Sequence, residues 1–410
     1  MSIIRGLARG GGGAHLAGMA DAGPPPPAPE VAATVDGNRL TLLADGPGRL
    51  EALISLIDGA TESLRVLYYM FLGDASGQRI RDALLAAAER GVKVSVLVDG
   101  FGSDIGDAAF ASAGAQVEFH RFSPRFGRRY LLRNHQKLAL ADGERVIIGG
   151  FNISDDYFGT IESGAWRDLG LQVEGPSVRC LGSYFDGLCQ WAADPHGRIR
   201  DLRRMLHQHS VTNGKLHWLF GGPTRRLSPW ARAVRRDMKQ AKRLDLIAAY
   251  FAPSLGMLRR ISGIARRGGK ARIVTAAKSD NNATIGAARS TYFWLLKRGV
   301  QIFEYQPTKL HTKLFVVDDA VHIGSANFDM RSLFLNLEMM LRIDDPAFAA
   351  AMHRFVDGEI AQSRHITLEL HRAQSSLVNR VKWWVAYFLV AVADYRISRV
   401  LNFGRDRGSV

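Results

Sequence analysis

Cysteine is scarce in this chain of 410 residues, in which Cys180 and Cys189 are the only two. Two thiols cannot build a framework of several disulfides, and there is no second pair to complete a zinc-binding set. We therefore expect two buried, reduced thiols and no structural metal.

Long apolar runs are also lacking. The apolar run from Trp383 to Ala393 is shorter than a transmembrane helix, which needs about 20 apolar residues. The beginning of the chain has no apolar core of signal-peptide length, and its glycine and proline content predicts a disordered leader over residues 1–36. The sequence therefore predicts neither a signal peptide nor a transmembrane helix, and a place on the cytoplasmic side is the default expectation.

Acidic residues are outnumbered, because 39 Asp and Glu stand against 54 Lys and Arg and leave a net charge of +15. This excess predicts an anionic partner, which could be nucleic acid, a phospholipid surface or a phosphorylated substrate. A hydrophobic content of 47% with 23% charged residues is typical of globular proteins, and the length allows two domains with full cores.

Strand-like and helix-like segments alternate along the chain, and their order occurs twice. Gly91 and Gly268 are 177 residues apart, and His135 and His311 are 176 apart, so the two halves keep a nearly constant offset. We therefore predict an α/β fold with two similar domains. The predicted ranges are 37–193 for the first domain, 194–228 for a connector, 229–365 for the second domain and 366–410 for a C-terminal tail.

A histidine and a lysine two residues apart begin a motif that occurs twice. In NHQKLALADGERVIIGGFN they are followed by an aspartate, a glycine pair and an asparagine, and LHTKLFVVDDAVHIGSANFD repeats nearly the same order. One copy is weak evidence, but a four-term spacing that recurs within one chain is a strong signal. The corresponding residues are His135, Lys137, Asp142, Gly149, Gly150 and Asn152 in the first copy, and His311, Lys313, Asp318, Gly324, Ser325 and Asn327 in the second.

The two copies would form a phosphate site if the halves faced each other. Lys137 and Lys313 bring positive charge, and Asn152 and Asn327 bring neutral donors, for the non-bridging oxygens of a phosphodiester. Such a site needs no metal or other cofactor.

The two histidines can divide the chemistry between them. One neutral imidazole attacks phosphorus, and the other, when protonated, gives its proton to the departing alkoxide before the roles reverse. Each imidazole needs an orienting partner on its other nitrogen, and we expect Asp168 and Glu338, on predicted return strands, to supply it. Asp142 and Asp318 belong to the catalytic motifs but should lie near the strand ends, so we expect a structural role for both.

The two H-x-K-x4-D motifs, each followed by G-[S/G]-x-N, resemble the signature of the phospholipase D superfamily. Stretches such as ALLAAAERGVKVSVLVDGFGS and QIFEYQPTKLHTKLFVVDD look like those of the shorter bacterial cardiolipin synthases, and this resemblance covers roughly residues 38–345. It implies one bilobal α/β/α body with a shared active-site cleft, and transfer of a phosphatidyl group through a phosphohistidine to an alcohol such as phosphatidylglycerol. It also implies that His135 is the nucleophile and that the protein is peripheral on the bacterial cell membrane. Gly150 departs from the pattern, because the family usually has serine there.

Other functions remain open at this point. With water as acceptor, the same site would make a phospholipase D, and a nuclease would suit the charge of +15. Arginines and aromatics in residues 120–135, together with the tail, favour a lipid surface over nucleic acid. A non-enzymatic scaffold is disfavoured because both motifs keep every reacting group, and the oligomeric state is open.

The tail combines aromatic and basic side chains in a way that is typical of a helix in a membrane interface. An ordinary core or dimer helix is the alternative. The aromatic residues are Trp383, Trp384, Tyr387 and Phe388, and the basic residues are Arg380, Lys382, Arg396 and Arg399.

Overall fold

The computed structural model describes residues 31–123, 132–210, 212, 214–224 and 226–393. Two mixed eight-stranded sheets with helices form the body, so the predicted α/β class is confirmed. Most of the predicted leader, part of the basic segment 120–135 and the end of the tail lie outside the described residues.

The first sheet has the strand order β1-β2-β8-β7-β6-β3-β4-β5. Helices α1 and α2 cover its outer face, because their apolar residues join one buried cluster with that face. The strands are β1 (Ala32–Val35), β2 (Asn38–Leu43), β3 (Ser63–Tyr68), β4 (Lys93–Asp99), β5 (Val117–Phe122), β6 (Leu138–Ala141), β7 (Arg145–Gly149) and β8 (Gly170–Glu174). The helices of this half are α1 (Gly46–Asp58), α2 (Ala75–Glu89), α3 (Asp155–Phe158) and α4 (Cys180–Ala193), with 3₁₀ segments at Asp107–Gln116 and Pro176–Val178.

The second sheet has the order β18-β13-β12-β10-β14-β15-β17-β9. It repeats six neighbouring strands of the first sheet, from β8 to β5: three parallel strands follow one another, an antiparallel hairpin pairs with the first of them, and a return strand pairs with the hairpin. The strands are β9 (Leu216–Gly221), β10 (Arg243–Ala248), β12 (Lys270–Ala276), β13 (Gln301–Tyr305), β14 (Lys313–Val317), β15 (Ala320–Gly324), β17 (Glu338–Asp344) and β18 (Ser363–Ile366), and β11 (Phe251–Ala252) pairs separately with β16 (Phe328–Asp329). The helices are α5 (Ile199–His209), α6 (Pro229–Asp237), α7 (Leu255–Arg266), α8 (Asn282–Leu296), α9 (Met330–Phe334), α10 (Pro346–Ala361), α11 (Leu368–Gln374) and α12 (Leu377–Tyr387), which continues as a π-helix over Phe388–Ala393.

One buried cluster contains apolar residues from both sheets, such as Leu138 and Leu140 of β6 with Leu314 and Val316 of β14. The inner faces of the two sheets therefore share a core, and the halves form one body. Among the described residues there is no helix that is both long and apolar enough to cross a membrane.

Two of the predicted ranges need correction. The leader was expected to be disordered up to residue 36, but Ala32–Val35 form β1 because they pair with β2, and Val35 is buried. The connector 194–228 contains α5 and also β9, whose six residues pair with β17. The second sheet therefore draws a strand from a range that the sequence pattern did not assign to it.

Asp142 and Asp318 occupy the same position in the two β-hairpins. Both have a positive φ, 55° and 49°, at the turn after the motif strand. The Asp142 carboxylate accepts hydrogen bonds from the backbone N–H groups of Glu62 (2.8 Å) and Ser63 (2.9 Å), where the chain enters β3. Asp318 accepts an equivalent bond from the N–H of Arg243 (2.7 Å), at the start of β10. Each motif aspartate thus fastens its hairpin to the start of the neighbouring antiparallel strand, β3 or β10.

Asp142→Ala is expected to lower the free energy of unfolding by about 1–3 kcal/mol, because it leaves N–H groups without their acceptor and places alanine at a positive φ. Burial opposes ionisation of Asp142, but the bonds from residues 61–63 outweigh it and lower its pKa. The stabilisation is therefore present above about pH 4 and is lost as the pH falls through the lowered pKa. Denaturant unfolding at about pH 7 and about pH 3 measures both effects.

Asp142→Asn is the matched control, since asparagine keeps an acceptor and tolerates a positive φ, so it should lose less stability than Asp142→Ala. Equal stability of the wild type and both variants would contradict the fastening role.

Candidate active site

Each motif histidine lies immediately before a hairpin strand, at the junction between the two halves. The N–H of His135 donates to the carbonyl of Leu337 at 2.9 Å, and the N–H of His311 donates to the carbonyl of Arg167 at 2.7 Å. The segment before each motif strand therefore pairs with the segment before the return strand of the other half. Because the two pairings are equivalent, the site lies on an approximate twofold relation between the halves.

This exchange gives each histidine a carboxylate from the opposite half. Nδ1 of His135 lies 3.2 Å from Oε2 of Glu338, and Nδ1 of His311 lies 2.6 Å from Oδ2 of Asp168. Both carboxylates are fully buried. A neutral imidazole that donates Nδ1–H to a carboxylate keeps the lone pair on Nε2 for chemistry. These contacts are the ones that the predicted orienting role requires.

Two lysines lie next to the histidines. Nζ of Lys137 donates to the carbonyl of His135 at 2.6 Å, and Nζ of Lys313 donates to the carbonyl of His311. Both lysines are only 1% exposed. Burial lowers the pKa of Lys137 to about 7 and the pKa of Lys313 to about 8, although the carboxylates nearby oppose this shift. The positive charge that the sequence predicted therefore depends on pH and on an anion in the site.

The surroundings of both imidazoles favour their neutral form near neutral pH. Burial, assisted by the lysine charges, lowers the pKa of His135 and lowers the pKa of His311 to about 4. Burial disfavours ionisation of Asp168 and Glu338 too, but the neighbouring lysine and histidine of each outweigh it and lower their pKa values. The site thus holds two carboxylates and two lysines as a compact buried charge cluster around two neutral histidines.

The asparagines differ in their surroundings. Nδ2 of Asn152 donates a hydrogen bond to the hydroxyl of Tyr157 at 3.0 Å. Oδ1 of Asn152 and Oδ1 of Asn327 are buried, and neither has a hydrogen-bond partner among the described residues. These unused atoms are acceptors, whereas phosphate oxygens need donors, so the predicted phosphate-binding role of the two asparagines stays a prediction.

Two serines hold Glu338 and were not predicted. Ser325 and Ser332 donate hydrogen bonds to its two oxygens at 2.5 and 2.7 Å. In the first half Gly150 takes the place of Ser325, and a Cβ there would overlap the carboxylate of Asp168. The departure from the family pattern therefore has a steric cause.

Aromatic rings around the histidines were also missed. The ring of Tyr69 lies 5.1 Å from that of His135, and Trp166 and Tyr157 lie 5.4 and 5.3 Å from His311. Tyr250, whose ring lies 6.4 Å from His311, corresponds to Met70 of the first half, because the N–H of Phe328 donates to the carbonyl of Tyr250 as the N–H of Ile153 donates to that of Met70. Alignment of the two halves therefore does not pair Tyr250 with Tyr69. Among the described residues, no group of three or more His, Cys, Asp or Glu side chains is placed to hold a metal ion.

The kcat/KM for a phosphodiester is expected to follow a bell in pH. The attacking imidazole must be neutral, so the rate falls as the pH drops through the lowered pKa of His135, below the usual value of about 6.5. The lysines must be charged to attract phosphate, so the rate also falls as the pH rises through about 7 and about 8. A rate that does not change between about pH 5 and about pH 9 would contradict this assignment.

Lys137→Arg is the matched variant, because a guanidinium stays protonated over the whole range. Its residual activity should show an alkaline limb at higher pH than the wild type.

Comparison with known proteins identifies the family to which the chain is similar. Residues 53–166 and 234–358 match the family model described as cardiolipin synthase, PLD-like domain. Two similar proteins are named cardiolipin synthase A. The one from Pseudomonas putida (strain W619) is 32% identical over 356 residues, covering 84% of this chain and 72% of that protein, and the one from Pseudomonas entomophila (strain L48) is 30% identical over 358 residues, covering 82% and 72%.

A solved structure shares the whole fold. The crystal structure of phosphatidylserine synthase from Haemophilus influenzae Rd KW20 aligns with a TM-score of 0.69 at 15% identity, and the match covers 92% of this chain and 97% of that one. At this identity the likeness concerns the fold alone. The family model, by contrast, matches both halves at the motifs described above, and the chain therefore belongs to the cardiolipin synthase family of PLD-like domain proteins.

Proposed function

We propose that the protein is a phosphatidyltransferase that moves a phosphatidyl group from one phospholipid to the hydroxyl of an acceptor such as phosphatidylglycerol. The main support is the reciprocal placement of the two histidines, each with a carboxylate of the other half on Nδ1. Two equivalent nucleophile and acid positions suit a reaction with two successive displacements at one phosphorus.

In the first displacement, Nε2 of His135 attacks phosphorus and forms a phosphorus–nitrogen bond, and the bond to the leaving oxygen breaks. His311 gives a proton to that oxygen, so that an alcohol departs. The anionic phosphodiester raises the pKa of the buried His311, because it supplies the negative charge that makes a protonated imidazole favourable there. Glu338 stabilises the positive charge that develops on His135.

In the second displacement, the oxygen of the acceptor hydroxyl attacks the phosphohistidine, and His311 takes the proton from that hydroxyl. The phosphorus–nitrogen bond breaks, and His135 is regenerated as a neutral imidazole. Lys137 and Lys313 balance the charge on the non-bridging oxygens in both steps. Asp168 holds His311 in the orientation that both proton transfers require.

Hydrolysis to phosphatidic acid is the second candidate, since water could replace the acceptor alcohol. Two relatives named cardiolipin synthase A, which align over more than 80% of this chain, favour transfer. A nuclease is disfavoured by an exposed apolar surface on α12. Leu377, Val381 and Trp384 are 76%, 56% and 71% exposed there and follow helical spacing, which suits a lipid interface and not a polyanion.

We place the protein at the bacterial membrane as a peripheral enzyme on the cytoplasmic side, with α12 as its interfacial helix. The predicted anchors divide into two groups. Trp384 and Phe388 face outward, whereas Trp383 stacks on His371 at 5.3 Å and the Tyr387 hydroxyl donates to the carbonyl of Pro253 at 3.2 Å. The inward pair attaches the helix to the body, and the outward residues form an apolar stripe with the exposed residues of α12. Arg396 and Arg399 lie outside the described residues.

Incubation with phosphatidylglycerol vesicles should yield cardiolipin and free glycerol, and lipid chromatography measures both. Phosphatidic acid as the main product would indicate a hydrolase, and cleavage of plasmid DNA without any lipid product would indicate a nuclease.

EDTA should leave the activity intact, because the cations at the site are lysines. Loss of activity in EDTA, with recovery on addition of one particular metal, would contradict this.

The two histidine variants should differ although both lose turnover. His311→Ala keeps the attacking imidazole, so a donor whose leaving group needs little protonation should trap a phosphorylated enzyme, and His135→Ala should not. Peptide mass spectrometry under neutral conditions locates the adduct. An adduct on residue 311 of the His135→Ala protein would reverse the assignment.

A further inference from the structure

The two halves differ sharply in the charge of corresponding helices. In the first half, α1 and α2 contain three arginines and four carboxylates. In the second half, α6 and α7 contain six arginines and one aspartate. Both helix pairs cover the outer face of an equivalent sheet, so the fold does not require the arginines. The simpler explanation is that the arginines of the second half bind an anionic partner.

Four of these six arginines line two grooves. A groove of about 590 Å³ next to α6 and α7 is lined by Arg235, Arg259, Arg260 and Arg267, together with Leu227 and Met257. A second groove of about 520 Å³, next to α5 and α6, is lined by Arg200, Arg203, Arg204 and Arg232 and also borders Leu227. Neither lining contains a carboxylate among the described residues. We refer to these two cavities as the arginine grooves.

The arginines of the first groove have no ion pair within the described part of the chain. Arg235 and Arg259 are exposed, and their positive charges repel one another across a shared surface. Guanidinium groups bind phosphate through parallel N–H bonds, and the apolar residues beside them offer contact to non-polar groups. The combination suits a ligand that has both a phosphate and an apolar portion.

The first of the two arginine grooves lies at the end of α7 that α12 reaches, because Ser254 and Gly256 line it. The contact of Tyr387 with Pro253 brings the end of α12 to the start of α7, where Leu255 is 65% exposed. Exposed apolar residues next to arginines suit the surface of an anionic bilayer, which offers both phosphates and apolar chains. A nucleic acid, by contrast, would leave the apolar residues without a partner.

We propose that the arginine grooves bind the headgroup phosphates of anionic phospholipids at the bilayer surface, outside the catalytic site. This inference rests on the proposed function, because it concerns the surface that presents the substrate. It assigns the lipid contact to two structural elements: α12 supplies apolar contact, and the second half supplies selectivity for anionic lipid.

The test compares two double variants of the full chain. Arg259→Gln with Arg260→Gln removes two charges from α7, and Arg79→Gln with Arg81→Gln removes two from α2, the corresponding helix of the first half. Co-sedimentation with vesicles of phosphatidylglycerol and of phosphatidylcholine measures binding at low and high salt. The α7 variant should bind phosphatidylglycerol vesicles about 25-fold more weakly, from about fivefold for each arginine, and high salt should reduce the difference. The α2 variant should bind like the wild type.

Three results would overturn the inference: wild-type vesicle binding by the α7 variant, equal weakening of both variants, or loss of binding to a short DNA duplex with vesicle binding kept. Circular dichroism and thermal unfolding verify that both variants are folded. Transfer on short-chain phosphatidylglycerol in detergent micelles tests the proposed function separately, and the α7 variant should retain it. Absence of transfer in the wild type, with arginine-dependent vesicle binding intact, would overturn the proposed function but not the arginine grooves.

Discussion

The candidate site depends on a reciprocal pair of backbone contacts, Asn134 with Leu337 and Arg167 with Leu310. Each contact places a motif histidine next to a carboxylate of the opposite half. Neither half alone contains a histidine with its partner, although each contains a complete motif. The shared core beneath the contacts holds the two sheets in the register that this exchange needs. The site is therefore a property of the interface, and anything that shifts one half against the other affects both histidines together.

The same interface buries two carboxylates and two lysines next to the two histidines. Asp168 and Glu338 stay ionised because the neighbouring histidines and lysines outweigh the effect of burial, and burial lowers the pKa of Lys137 to about 7 and that of Lys313 to about 8. Burial of such a cluster costs stability unless every member is paired. In exchange, the site can gain positive charge when a phosphodiester enters, since an anion raises the pKa of each lysine and histidine.

The sequence predicted the elements that are local or repeated. Alternating segments indicated the α/β class, and the duplicated spacing identified both histidines and both lysines, because motif residues lie within one hairpin. The crossed pairing of Asp168 with His311 and of Glu338 with His135 could not be predicted, since it joins residues 143 and 203 positions apart. Strand β9 was missed because its pairing with β17 is likewise long-range, and a connector rich in breakers and arginines hides its short apolar pattern. Ser332 was missed because it lies outside the motif and reaches Glu338 only in the folded chain.

Gly150 and Asp168 form a matched set, as do Ser325 and Glu338. The shorter carboxylate stands against a residue without a side chain, whereas the longer one stands against a serine that donates to it. A side chain at position 150 meets the carboxylate of Asp168, and removal of the Ser325 hydroxyl leaves Glu338 with one donor fewer. The two positions in each half are therefore epistatic, so that neutral drift at one depends on the residue at the other. Because a side chain at position 150 would meet Asp168 whereas Glu338 uses the hydroxyl of Ser325, the two halves are complementary parts of one site and not interchangeable copies.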